Sequence, residues 1–246
     1  MKIIDMPTPL CIAHRGVSAR YPENTLSAFR AAKDAGAHMI ELDVTLSKDR
    51  QLVVIHDRTV DRTTNASGAV KAFTLEQLSQ LDAGSWFDTA FSREFVPSLE
   101  QVFTLVKGHL GVNIEIKPEA FEPDGPKDSA ERQVLDLVRE KNMLADVLVS
   151  SFEWQMLENL SLVEPSMALG LLSDVPADAN LLHWYHRVKG FSWHPDYRVL
   201  TRPQVARLQD MGARVLPYAV DGEIDIDGML AMGVDGLILD DPGHMV

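Results

Sequence analysis

The sequence predicts an α/β fold: βα repeats around a parallel sheet, with an α/β barrel as the architecture that suits its length. Three observations carry this. Short apolar runs alternate with amphipathic stretches. Hydroxyl or amide residues open the amphipathic stretches, and glycines close them. The chain's 246 residues, 46% apolar, suffice for one full-sized core, so a single domain over 1–246 is expected.

In chain order, the strand candidates are Leu10–Ala13, Met39–Val44, Leu52–Ile55, Val112–Ile116, Val147–Ser150, Met167–Leu172, Val188–Ser192, Arg214–Tyr218 and Gly236–Leu239. Asn24 precedes the first helical stretch, and Thr74/Gln77, Ser98/Gln101 and Thr201/Gln204 have capping-box spacing. Gly36, Gly108, Gly212 and Gly233 stand where helices should end. Nine strands are one too many for an eight-stranded barrel. Only Thr45–Gln51 join the second and third, too few for a crossover helix. Either a hairpin turns at Lys48-Asp49-Arg50 or a short loop runs back to a parallel third strand; both bring His56 near Asp43. Residues 58–97 break the repeat, contain one helix from Thr74 to Leu81, and read as an insertion at the barrel mouth, too small for its own core.

The formal charge of −13 argues against a non-specific nucleic-acid binder and against charge-driven docking on anionic membranes. An anionic substrate must then be held by local positive charge. The first residues lack the apolar segment of a signal peptide, and no run approaches the ~20 apolar residues of a membrane span. The single cysteine, Cys11, reads as a small buried hydrophobe. Together these features point to the cytoplasm, with no stable membrane insertion and with a homo-oligomer left open.

Chemistry concentrates at strand ends: His14-Arg15-Gly16, Glu41-Leu-Asp43, His56-Asp57 and Glu115-Ile-Lys117. Glu41 and Asp43 share one strand face, as do Glu115 and Lys117. Three inward carboxylates at the active end of a barrel are costly unless a cation holds them, and oxygen-only ligands suit Mg²⁺ or Ca²⁺. Salt-bridged strand residues are the plainer reading of any one of them. His14 and His56 supply the base and acid that ester cleavage requires at neutral pH. Arg15 offers a fork for phosphate oxygens, and Lys117 a point charge. Ser150-Ser-Phe152, Trp193-His194 and Tyr218 are candidates for lining the pocket. Asp57, Asp240 and Asp241 read as caps or solvated acids.

These pieces resemble the glycerophosphodiester phosphodiesterase family. The match runs through His14-Arg-Gly, Pro22-Glu-Asn-Thr25, Glu41-Leu-Asp-Val44, Ser47-Lys-Asp49, His56-Asp57, Arg62-Thr63, Leu81-Asp-Ala-Gly-Ser-Trp86, Pro97, Asn113-Ile-Glu-Ile-Lys117, Ser150-Ser-Phe152 and Gly233-Val-Asp-Gly236. Leu81–Phe87 looks most like the cytosolic bacterial branch. The resemblance implies a TIM-like (β/α)8 barrel with a small insertion after the third strand. It also implies metal ligands Glu41, Asp43 and Glu115, an acid–base pair His14 and His56, and phosphate contacts Arg15 and Lys117. Glu23, His194 and Tyr218 complete the expected substrate-binding set. Two departures touch the rim and the barrel closure: Tyr218-Ala-Val-Asp221 where relatives have an aromatic followed by Thr-Val-Asn, and Ile238-Leu-Asp240 where they have Ile-Thr-Asp.

The expected activity is metal-dependent hydrolysis of a small glycerophosphodiester to sn-glycerol 3-phosphate and an alcohol, with His14 preferred as the base. Attack by the glycerol 2-hydroxyl through a cyclic phosphate is the favoured route, with direct attack by water as the other. A lysophospholipase D would want an apolar groove at the mouth, and the insertion offers only Trp86-Phe87 and Phe91. A silent ligand-binding barrel would be expected to have lost one of the five site groups, yet all five are present.

Overall fold

The computed structural model of the protein describes residues 2–220 and 222–245. Among these, the strands are β1 Leu10–Ala13, β2 Met39–Leu46, β3 Leu52–Val54, β4 Gly111–Ile116, β5 Val147–Ser151, β6 Ala168–Ser173, β7 Ser192–Pro195, β8 Arg214–Val215 and β9 Gly236–Leu239. The helices are α1 Leu26–Asp34, α2 Leu75–Leu78, α3 Leu99–Val106, α4 Ala130–Glu140, α5 Trp154–Val163, α6 Ala179–Val188, α7 Arg202–Asp210 and α8 Glu223–Met232. Eight strands run parallel in the order β8-β7-β6-β5-β4-β2-β1-β9. The two ends meet through Asp235 N–H to Val215 O and Ile238 N–H to Pro217 O, both 3.0 Å. The result is a nearly closed parallel barrel ringed by helices.

The surplus strand is β3. It pairs only with β2, antiparallel, with Val44 opposite Val54 and Leu46 opposite Leu52. The hairpin at Lys48-Asp49-Arg50 is therefore the one formed, with Arg50 at φ 59 and Ser47 N–H bonded to Gln51 O at 3.0 Å. Ile55 N–H reaches Asp43 O at 3.0 Å, so His56 leaves the hairpin one residue past Asp43.

Strand alternation sorts the interior from the helix-facing shell. Cys11, Ile40, Leu42, Val44, Val112, Ile114, Ile116, Val149, Trp193, Val215 and Leu237 pack outward against the helices. Their neighbours Leu10, Ile12, Met39, Leu148, Leu216 and Ile238 meet inside the barrel, where Ile3 and Met6 join them. Higher on the same inward faces the residues turn polar, which is where the site lies.

Three capping boxes form as the spacing predicts, at Thr74, Ser98 and Thr201. Gly36, Gly108, Gly212 and Gly233 all take positive φ at helix ends. The cap of α1 is Thr25 rather than Asn24. The seventh strand starts at Ser192, because Val188 is the last buried position of α6 and Lys189 turns the chain at φ 55. The 58–97 segment docks its own apolar residues Val60, Val70, Leu78, Ala83 and Val96 on Val53 and Ile55, so the hairpin supplies the core it lacks. No helix among the described residues is long and apolar enough to cross a membrane.

Candidate active site

Parallel register places the carboxylates. Asp43 lies beside Glu115 and Glu41 beside Asn113 on neighbouring strands β2 and β4, all on the inward face. Glu41, Asp43 and Glu115 are buried, and one oxygen of each lies within 4.8 Å of the others. Lys117 Nζ donates to Glu115 Oε1 at 2.7 Å and Asp43 Oδ1 at 3.2 Å. Arg15 Nε stands 3.3 Å from Asp43 Oδ2, and its backbone N–H donates to Glu41 Oε2 at 2.9 Å. Asn24, at φ 58, donates Nδ2–H to Asp43 Oδ2 at 2.8 Å.

Three buried carboxylates thus face two cations, and the charge does not balance. Burial, followed by the charge of Asp43, pushes Glu41 up to about 8. Burial and Asp43 also raise Glu115. Burial would raise Asp43 too, but the Arg15 and Lys117 charges outweigh it and hold that carboxyl down at about 2. A divalent cation supplies the missing positive charge with an all-oxygen ligand set, so the residues fit such an ion.

The histidines flank this cluster, each gripped by an aspartate. His14 Nδ1 lies 2.6 Å from Asp240 Oδ1, and His56 Nδ1 lies 2.6 Å from Asp57 Oδ1. An ionised carboxylate can only accept, so Nδ1 of each ring carries the proton and Nε2 is left for chemistry. His14 Nε2 is 4.0 Å from Glu41 Oε2. Burial opposes charging of His14, but the Asp240 hydrogen bond and the Glu41 charge outweigh it and raise its pKa. Asp57 and Asp240 are therefore neither caps nor merely solvated. Asp240 is hidden from sequence reasoning because its partner comes from chain folding: it is 226 residues from His14. Only the immediate His56-Asp57 adjacency was a signal.

Glu23 does not line the cleft. It accepts from Arg15 Nη1 at 3.0 Å and from Arg62 Nη1 and Nη2 at 2.7 and 2.8 Å. Arg62 in turn grips both oxygens of Asp57, at 2.7 and 3.0 Å. A continuous charged chain, Arg15–Glu23–Arg62–Asp57–His56, thus joins a phosphate-binding candidate to a histidine. Glu23 is placed as a bridge between two guanidiniums.

The cleft enclosed by these groups has a volume of ≈250 Å³, and His14, Arg15, His56, Lys117, Phe152 and Tyr218 are among the residues on its walls. Asn113 and Ser150 form part of its base, with Ser150 Oγ donating to Asn113 Oδ1 at 2.9 Å. Tyr218 stacks edge-on against Phe152 at 6.2 Å; of the two departures, Ala219 reaches the cleft, whereas Leu239 packs into the helix-facing core. Asp221 lies outside the described residues.

His194 is a correction. It belongs to β7 itself, is fully enclosed, and shares Nε2 with Ser192 Oγ at 2.8 Å. It fills the space left by Gly170, where a Cβ would stand 2.8 Å from its Nε2. Burial lowers its pKa to about 3, so it is a neutral core ring out of reach of substrate. Trp193 points the other way, into the helix-facing core, and Ser151 bonds Ile116 O rather than lining the cleft.

The glycerophosphoryl diester phosphodiesterase family model matches residues 14–244. A glycerophosphodiester phosphodiesterase of Caldanaerobacter subterraneus subsp. tengcongensis is 41% identical over 242 residues, 96% of each chain. One from Bacillus altitudinis is 36% identical over 239 residues, 95% of each chain. Among solved structures, an Oleispira antarctica phosphodiesterase in complex with the product sn-glycerol-3-phosphate superposes with a TM-score of 0.88. It is 27% identical, over 96% of this chain and 94% of that one. By its strand-end motifs, its barrel and these matches, the chain belongs to the glycerophosphoryl diester phosphodiesterase family.

Proposed function

We propose that this protein hydrolyses glycerophosphodiesters to sn-glycerol 3-phosphate and a free alcohol, with the whole chain acting as one catalytic unit. The observation that carries this reading is the pair of aspartate-gripped histidines flanking a buried acidic triad in one small cleft. The named product in the Oleispira relative supports the substrate class.

Glu41, Asp43 and Glu115 are assigned to hold a divalent cation, Mg²⁺ or Ca²⁺, which when bound lends Lewis acidity at a phosphoryl oxygen. Arg15 directs its guanidinium, braced by Glu23, at the phosphate, and Lys117 adds positive charge beside it. Phe152 and Tyr218 offer an apolar wall for the glycerol carbons. His14 Nε2 takes the proton of the attacking hydroxyl, and Asp240 stabilises the resulting imidazolium. His56, carrying a proton on both nitrogens at the start of the cycle, gives its Nε2 proton to the departing alcohol, with Asp57 and Arg62 fixing the ring. Water then opens the cyclic phosphate, returning a proton to His56 Nε2 while His14 gives its Nε2 proton back to the 2-oxygen.

The test is release of glycerol 3-phosphate from a panel of deacylated and singly acylated diesters, with chelator, then with added Mg²⁺ or Ca²⁺. Release from deacylated diesters that chelator abolishes and metal restores is expected. Release without metal, or from singly acylated lipids alone, would overturn the reading.

A further inference from the structure

The catalytic cleft is small. Its ≈250 Å³ falls below the ~300–1,000 Å³ of pockets that enclose drug-sized ligands. It can take a glycerol phosphate, so the alcohol on the far side of the scissile bond must extend beyond the rim. A second, larger cavity of ≈540 Å³ is lined by the β2–β3 hairpin, the start of the insertion and the loop after β4, and shares no wall residue with the cleft. Its lining picks up two residues past three groups of the site: Thr45 after Asp43, Arg58 after His56, and Glu119 after Lys117. Thr45 and Asp43 share one face of β2, so the groove begins one strand repeat, ~7 Å, above the acidic triad.

The groove's charge is opposite to that of the molecule. Lys48, Arg50, Arg58 and Lys71 face Glu119 and Glu122, an excess of two positive charges in a chain of net −13. Arg50 is committed to Glu122 and Asp128, where it ties the hairpin turn to the loop after β4. Arg58 leans on Glu119 at 3.6 Å. Lys48 and Lys71 are the uncommitted pair, exposed and with no ion pair among the described residues.

We infer that this groove is a subsite for the leaving alcohol and selects diesters whose alcohol carries a negative charge, such as a phosphorylated polyol. The inference rests on the hydrolytic reading above and deepens it. The phosphodiester sits at Arg15 and Lys117, the scissile bond points past His56, and the anionic end of the alcohol meets Lys48 and Lys71.

The experiment compares kcat/KM for three glycerophosphodiesters whose alcohol is choline, glycerol or a glycerol phosphate. It uses the full chain and a variant carrying Lys48→Glu and Lys71→Glu. The wild type should favour the anionic alcohol over choline by about tenfold, and the variant should lose that preference, as expected for two exposed charge contacts. The preference should also shrink at 0.5 M salt. A control with Arg30→Glu and Lys33→Glu on α1 changes net charge equally and should keep the ratio. No discrimination by the wild type, an unchanged ratio in the groove variant, or an equal drop in the control overturns the assignment. So does binding of anionic vesicles that depends on Lys48 and Lys71 while the substrate ratio stays fixed, since the charge would then serve a surface. If no diester releases glycerol 3-phosphate, the hydrolytic reading fails separately. Calorimetric titration of the alcohol phosphate itself then decides the groove: binding that the variant loses supports it, and no binding overturns it.

Discussion

Replacing Asp240 by Asn tests the least visible part of the site. The Asp240 carboxylate accepts from His14 Nδ1 at 2.6 Å and from Ser18 Oγ at 2.9 Å, both on Oδ1. Asparagine keeps the shape and an acceptor oxygen, so the ring stays near its place, but the negative charge that favours the imidazolium is gone. In an enclosed carboxylate–histidine pair the same change costs about 10⁴ in kcat. Here the Asp240 side chain is 42% exposed and water screens part of its charge. We therefore expect kcat to fall about 10- to 100-fold, or about 1.4–2.7 kcal/mol of transition-state stabilisation. KM and Mg²⁺ affinity should change little, because Asp240 touches neither the triad nor the phosphate cations. The pH profile gives a second readout. Burial already disfavours His14⁺, and Asp240 is the largest influence raising its pKa. Without that charge the pKa falls, so His14 stays neutral to lower pH and the acidic limb of kcat/KM moves down. The assay is glycerol 3-phosphate release followed by a coupled dehydrogenase across pH 5–9. A variant within twofold of wild type, with an unmoved acidic limb, would refute the idea that Asp240 acts through His14.

Three further outcomes follow from the same geometry. Glu23→Gln should weaken the Arg15–Arg62 bridge and cost about 1–3 kcal/mol in urea unfolding at pH 7. Burial works against Glu23 ionisation, but its Arg62 and Arg15 contacts prevail and depress its pKa. Its contribution is thus fully present above the unfolded value of ~4.3 and is lost as pH falls through the folded value, so the gap between wild type and variant should narrow below about pH 4; a gap that stays constant there would sink the assignment. Glu115→Gln removes a triad oxygen and should abolish the rise in melting temperature that saturating Mg²⁺ or Ca²⁺ gives the wild type, about 2.7 kcal/mol of stabilisation at 100 times Kd; an equal rise in the variant would place the ion elsewhere. Gly16→Ala forces a side chain at φ +82 and a Cβ 2.6 Å from Ala28 C, and should destabilise by about 2–4 kcal/mol in thermal unfolding; an unchanged melting temperature would mean that the loop after β1 yields.

Much of the site was legible because strand periodicity is local. Glu41 and Asp43, or Glu115 and Lys117, share a face wherever a strand forms, and the glycines and capping boxes announced helix ends without tertiary help. His194 shows where that reasoning stops. A histidine near a strand end looks like a site residue, but whether it meets solvent depends on what faces it, and here Gly170 opens a slot that encloses it. The insertion followed the same rule: its apolar residues are too few for a core until Val53 and Ile55 are placed beneath them.

By itself the sequence determined the residue types, their spacing along each strand, and the alternation of elements that makes a parallel barrel the consistent solution. Folding decided whatever depends on partners distant in the chain. The surplus strand became a hairpin because β2 is the one strand it pairs with, its other edge bonding only to the Pro97–Ser98 segment. Asp240 reached His14 because barrel closure brings the last strand beside the first. Glu23 became a bridge because the insertion returns Arg62 to it. Local pattern sets which face a side chain takes, and only the closed barrel sets which charge stands opposite.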